Sequence, residues 1–163
     1  MSELSTADIL NYAPAPLPEG RIQFVVRGKP RFVPPKGKRF AHLSHTLSPV
    51  RGINTPPLTD AMKGTNVYWE FIIRDLDDGI GRTRTAKAYT DLLLKFGVTV
   101  EELTSVPTVP RVRTEEGIEY DDLTVYGLFM DGKLVEADVR HRPYVGRDGV
   151  DRIAYDLSNV TPA

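Results

Sequence analysis

The stretch "NVYWEFIIRDLDDGIGRTRTAKAYTDLLLKFG", residues 66–97, holds the two clearest periodicities in the chain, and they lie back to back. Val67, Trp69, Phe71 and Ile73 recur at every second position in a run rich in aromatic and β-branched residues, which predicts a half-buried strand. Trp69 then belongs to the core, and Tyr68 faces the other way, toward water. After a "DLDDGIG" turn the period changes. Tyr89, Leu92, Leu93 and Phe96 fall at i, i+3, i+4 and i+7, with Lys95 in the last turn and Gly97 just past it. That pattern predicts a helix with one buried stripe, Tyr89 included.

Working outward, Ile22, Phe24 and Val26 alternate with Arg21, Gln23, Val25 and Arg27, a second half-buried strand. The "RGKPRFVPPKGKR" that follows carries Pro30, Pro34, Pro35, Gly28 and Gly37, so an irregular strand end and loop is expected. Alternation resumes with Ala41, Leu43, His45 and Leu47 inward, and residues 48–64 read as a loop. Thr99 and Glu102 have capping-box spacing for a second short helix. Residues 105–122 are proline-broken and then acidic. In the last third, residues 123–145 read as strand-like with "DGK" as a hairpin turn. There Val135, Ala137 and Val139 alternate with Glu136, Asp138 and Arg140. "GRDG" forms a further turn, and Ile153, Tyr155 and Leu157 share a face.

Three strands, a helix and two strands is the order of the OB-fold barrel, whose sheet face and loops bind oligonucleotides. The expectation is a mainly β, OB-fold-like barrel of five or more strands with one helix between the third and fourth. Residues 1–20 contain a short helical "TADILNY", with Thr6 as N-cap, and a proline-rich "APAPLPEG". They read as an N-terminal arm, leaving residues 21–163 as a single OB-like domain.

Composition narrows the function. Of 163 residues, 40% are hydrophobic and 26% charged, which excludes wholesale disorder. A net charge of -1 excludes bulk attraction to polyanions. The absence of cysteine removes disulfides, thiolate nucleophiles and cysteine-ligated zinc. No apolar run reaches the roughly 20 residues that span a bilayer, and the opening "MSELSTADIL" carries acids where a secretory signal carries lysines, so a cytoplasmic protein without a membrane partner is expected. The charge is unevenly placed, however. Arg21, Arg27, Lys29, Arg31, Lys36, Lys38, Arg39 and Arg51 fall in a segment without an acid, whereas residues 101–122 hold seven acids against Arg111 and Arg113.

Single-stranded nucleic acid is held by cations along a groove and aromatic faces for unstacked bases. Arg27, Lys29, Arg31, Lys36, Lys38 and Arg39, interleaved with Phe32, Phe40 and His42, supply both. The alternative for Phe32 and Phe40 is burial in the core. Tyr68 is a further stacking candidate. Arg140, Arg142, Tyr144 and Arg147 form a second candidate group, with surface ion pairs to Glu136, Asp138 or Asp148 as the alternative.

Signals for catalysis are poor. His42 and His45, three apart on a strand, point to opposite faces and cannot jointly grip a metal unless the strand bends. His141 stands alone. Asp75, Asp77, Asp78 and Gly79 miss the spacing of a calcium loop, and no nucleophile motif or phosphate-binding loop is present. No catalytic residues, metal or cofactor are expected. A nuclease built on Asp75, Asp77 and Glu70 is the weakest reading.

Taken together, "PLPEGRIQFVV", the strand and helix order, "AKAYTDLLLKFGV" and the ending "VRHRPYVGRDGVDRIAYDLSNVTPA" resemble the single-stranded DNA-binding proteins encoded in replication and recombination modules of tailed bacteriophages. The resemblance implies an OB-fold that coats single-stranded DNA without reading sequence, in the host cytoplasm, with replication or recombination proteins as further partners. This chain departs from the acidic tail common in such proteins, having no acid after Asp156. Either that function is absent here, or the acidic segment 101–122 carries something like it. The rival reading is a β-rich protein-interaction or virion-assembly module.

Overall fold

The computed structural model describes residues 3–11, 15–37, 40–74, 76 and 79–163. Strands β1 (Gly20–Val33), β2 (Ala41–Gly52) and β3 (Val67–Ile73) form a meander. The short β4 (Arg111–Arg113) and β5 (Glu119–Asp121) pair only with each other, and β6 (Leu134–Val145) and β7 (Asp151–Pro162) make the last hairpin. The main sheet is five-stranded and antiparallel throughout, in the order β3-β2-β1-β6-β7.

One side of this sheet carries the core. The alternations read from the sequence bury Ile22, Phe24 and Val26 of β1, Ala41, Leu43, His45 and Leu47 of β2, and Val135, Ala137 and Val139 of β6. Helix α3 (Gly79–Lys95) covers this side with Tyr89 and Leu93, and Phe96 follows just past its end. Each such large apolar side chain taken out of water contributes about 1.5–3 kcal/mol. The helix stops where the sequence says it should. Gly97 adopts φ 92°, a conformation cheap only for glycine, and Val98 N–H closes back on the Leu93 carbonyl at 3.0 Å. Helix α4 (Val100–Thr104) begins with the capping box of Thr99 and Glu102. Leu17, ahead of β1, is fully buried, and its carbonyl accepts a hydrogen bond from His141 Nε2.

The sheet does not close into the expected barrel. Among the described residues no hydrogen-bonded ladder joins the edge strands β3 and β7. They face one another across a cleft of about 580 Å³, lined by Trp69, Glu70 and Ile72 on one side and by Arg142, Tyr155 and Leu157 on the other. Helix placement also departs from the single insertion expected. Helix α1 (Thr6–Asn11) precedes β1, α2 (Asp60–Lys63) separates β2 from β3, and α5 (Thr124–Gly127) continues into a 3-10 turn (Leu128–Met130) ahead of β6.

That last segment corrects the strand-like reading of residues 123–133. Thr124, Gly127 and Met130 are buried, a spacing of three that suits a helical turn and not the alternation of a strand. "DGK" therefore leads from helix into β6 and is not the tip of a hairpin. A second correction concerns β1, which does not dissolve at Gly28. The register passes from Arg27 opposite Thr46 to Arg31 opposite Ser44, so two extra residues bulge out of β1. Gly28 (φ 69°) and buried Pro30 occupy that bulge, where a missing N–H and a left-handed residue are tolerated. The Gly28 N–H donates to Asp131 Oδ1 at 2.7 Å. Residues 48–52 extend β2 where a loop was expected. Among the described residues no helix is long and apolar enough to cross a membrane.

Candidate nucleic-acid interface

Directly paired residues of neighbouring strands point to the same side of a sheet, so register decides which candidates meet. Arg27 pairs with Thr46, and Thr46 with Tyr68, which sets these three in one row across β1, β2 and β3. The next row is Arg31, Ser44 and Glu70, and the next Val33, His42 and Ile72. All three rows lie on the side away from the core. Arg27 and Arg31 are exposed, Tyr68 is 55% exposed and Ile72 49% exposed. Lys29 projects from the bulge between the first two rows and is also exposed. Among the described residues, none of Arg27, Lys29, Arg31 and Lys36 makes an ion pair. Their charge stays available at the surface, unlike that of Arg21, which is engaged by Glu136 and Asp138, each at 3.2 Å.

The rows end at the loop joining β1 to β2. Here Lys36, Phe40 and His42, with Val33, Pro34 and Pro35, border a cavity of about 420 Å³. The Phe40 ring is half exposed, and the Arg74 guanidinium sits 5.2 Å from its centroid, a cation–π contact that fixes the ring. His42 Nε2 lies 3.3 Å from Glu70 Oε1. His42 and His45 do face opposite sides, the first outward and the second buried at 1% exposure. Lys38 and Arg39 lie outside the described residues, as do Asp75, Asp77 and Asp78.

Phe32 does not belong to this surface. It lies on the core-facing side, paired with Leu43, and stacks on Tyr120 with ring centroids 3.6 Å apart. A ring already covered by another ring offers no platform to a base on that face. The stack instead fastens the β4–β5 hairpin to β1. The hairpin is held further by Arg82, whose Nε and Nη2 donate to the two oxygens of Asp121 at 2.8 and 2.7 Å. These bonds hold the Asp121 carboxyl below the usual carboxylate range. The acidic segment therefore folds back beside the basic loop, with Glu116 bordering the same cavity as Lys36 and Phe40.

The second candidate group is only partly brought in. Arg142 borders the β3–β7 cleft together with Glu70 and Ile72, but its Nε is bound to Asp156 at 3.1 Å. Arg140 is exposed and stands opposite Asp156 in the ladder. Tyr144 and Arg147 lie farther along the β6–β7 hairpin, past the start of β1 and outside the β1–β6 ladder. The sequence reading passed over Ile72 and Arg74, although the alternation that turned Tyr68 outward also turns Ile72 outward. No family model matches this chain, and no curated protein matches it.

Proposed function

We propose that this chain binds single-stranded DNA without strict sequence selection, on the outward face of β1, β2 and β3 and the loop between β1 and β2. The observation that carries the reading is the row of Arg27, Thr46 and Tyr68, with Arg31 beside it: cations without acidic partners among the described residues, next to a water-facing ring. Phosphates pair with Arg27, Lys29, Arg31 and Lys36, and bases stack on Tyr68 and Phe40. Stacking is worth about 1–3 kcal/mol per base, enough for useful affinity at a net charge near zero.

The strand order supports an OB-like reading of the sheet, as a barrel left open between β3 and β7. In that fold the face of the second and third strands and the loop between the first two take up oligonucleotides. The role that follows is a non-enzymatic coating of exposed strands during phage replication or recombination. One observation favours the rival, a protein-interaction or virion-assembly module: Tyr144, Val145, Val150 and Ile153 crowd the β6–β7 hairpin end and stay 43–65% exposed.

Gel retention of oligo-dT and of a duplex of equal length, at two salt concentrations, separates the two. Stronger retention of oligo-dT, falling as salt rises, is expected. Equal, negligible retention of both at low salt overturns the proposal in favour of the rival.

A further inference from the structure

The proposed face contains a group that works against phosphate. Glu70 is the only acidic residue in β1, β2 and β3. It stands in the middle row of the face, with Arg31 and Ser44, on the edge strand β3 where the face borders the cleft to β7, and its side chain is 54% exposed. Tyr68 and Ile72 flank it on the same side of β3, each about 7 Å away along the strand. His42 approaches one carboxylate oxygen at 3.3 Å, and the other accepts no hydrogen bond from the described residues.

A carboxylate here repels phosphates and accepts hydrogen bonds without donating any. The backbone of a bound strand is therefore driven toward the Arg27 and Arg31 side, and bases are turned over β3. A base stacked on Tyr68 has its edge within reach of the next outward position, which is Glu70. Cytosine offers its N4 amino group to an acidic side chain. Uracil and thymine place a carbonyl there instead, and their single N3–H is flanked by two carbonyl oxygens that repel the carboxylate.

We infer that Glu70 is a specificity-determining residue, giving the face a preference for bases with an exocyclic amino group, and for cytosine over uracil and thymine. This inference rests on the single-strand-binding reading of the same face. It makes the coating base-biased without making it sequence-specific.

Oligo-dC and oligo-dU differ in the bases only at position 4 and its effect on N3, so they isolate the contact. Titrations of equal-length strands are made at mildly alkaline pH, where cytosine is unprotonated. The full-length protein is expected to bind oligo-dC about five- to tenfold more tightly than oligo-dU. Glu70→Gln, whose amide donates as well as accepts, is expected to bring the ratio to within about twofold, chiefly by strengthening oligo-dU binding. A ratio within about twofold in the unmodified protein, or a ratio unchanged by Glu70→Gln in a variant with an unaltered melting curve, overturns the inference and leaves strand binding standing. Failure to bind either strand at low salt overturns both.

Discussion

His45 Nε2 lies 2.7 Å from the Tyr89 hydroxyl, a hydrogen bond that ties β2 to helix α3 inside the core. Both groups are buried, and among the described residues His45 Nδ1 has no partner. Burial disfavours the charged forms, so it lowers the His45 pKa to about 4 and raises that of Tyr89. The pair is therefore neutral across the physiological range.

The sign of the resulting pH dependence follows from linkage. As pH falls through 6.5 the unfolded chain protonates His45, while the folded chain resists until about pH 4. Stability is expected to be constant above that window and to decline within it by up to about 3 kcal/mol from this residue alone. Asp121, whose carboxyl is held low by Arg82, also loses its contribution on the acid side, so a comparison is needed. Replacing both partners, His45→Leu with Tyr89→Phe, removes the titration and leaves no orphaned polar group. Urea unfolding from pH 4 to 7 is expected to show a shallower slope for the double variant. Parallel slopes would show that His45 does not titrate in this way.

The role of His45 illustrates what the sequence could and could not disclose. Its inward position was legible, because alternation with Ala41, Leu43 and Leu47 is a local property. The same holds for the faces of β3, the stripe of α3 and the capping box of α4, each set within a few residues. The course of β1 through Gly28 and Pro30 was not legible, since its bulge is stabilised by Asp131, a residue far along the chain. Nor was the β4–β5 hairpin, whose three-residue strands depend on Phe32 and Arg82 from elsewhere. For the site, the residue types were legible and their meeting was not. Arg27 reaches the row of Tyr68 through a cross-strand register that no local pattern encodes, and Phe32, which looks like its neighbours, is taken by Tyr120.

Gly127 offers a test of the packing that holds this frame together. A methyl group added at its α-carbon would overlap the Pro30 ring and the Tyr89 hydroxyl, so bulge, helix α3 and helix α5 meet where only glycine fits. Gly127→Ala is expected to destabilise the fold by about 1–3 kcal/mol through overpacking, although alanine is the better helix former. Gly79→Ala, where the added atom meets nothing within 4 Å, is expected to stay within about 1 kcal/mol of the parent. Denaturant midpoints for the two variants make the comparison, and equal midpoints would contradict the close approach.

Arginines of the same sheet are expected to divide into two classes by what they already touch. Arg21 is committed: besides Glu136 and Asp138, it donates to the Asn159 carbonyl at 3.0 Å, so it links β1, β6 and β7. Arg27 and Arg31 are exposed, without an ion pair among the described residues, and share the face of Tyr68. Arg21→Ala should lower the melting temperature and leave the affinity of the folded protein for oligo-dT close to that of the parent. Arg27→Ala and Arg31→Ala should leave the melting temperature unchanged, weaken oligo-dT binding, and each flatten the plot of log affinity against log salt by about 0.7. Thermal melts and a salt series on the three variants give both readouts. If the salt slope changes with Arg21 and not with Arg27 or Arg31, the phosphate path runs over β6 and β7, and the interface has been assigned to the wrong strands.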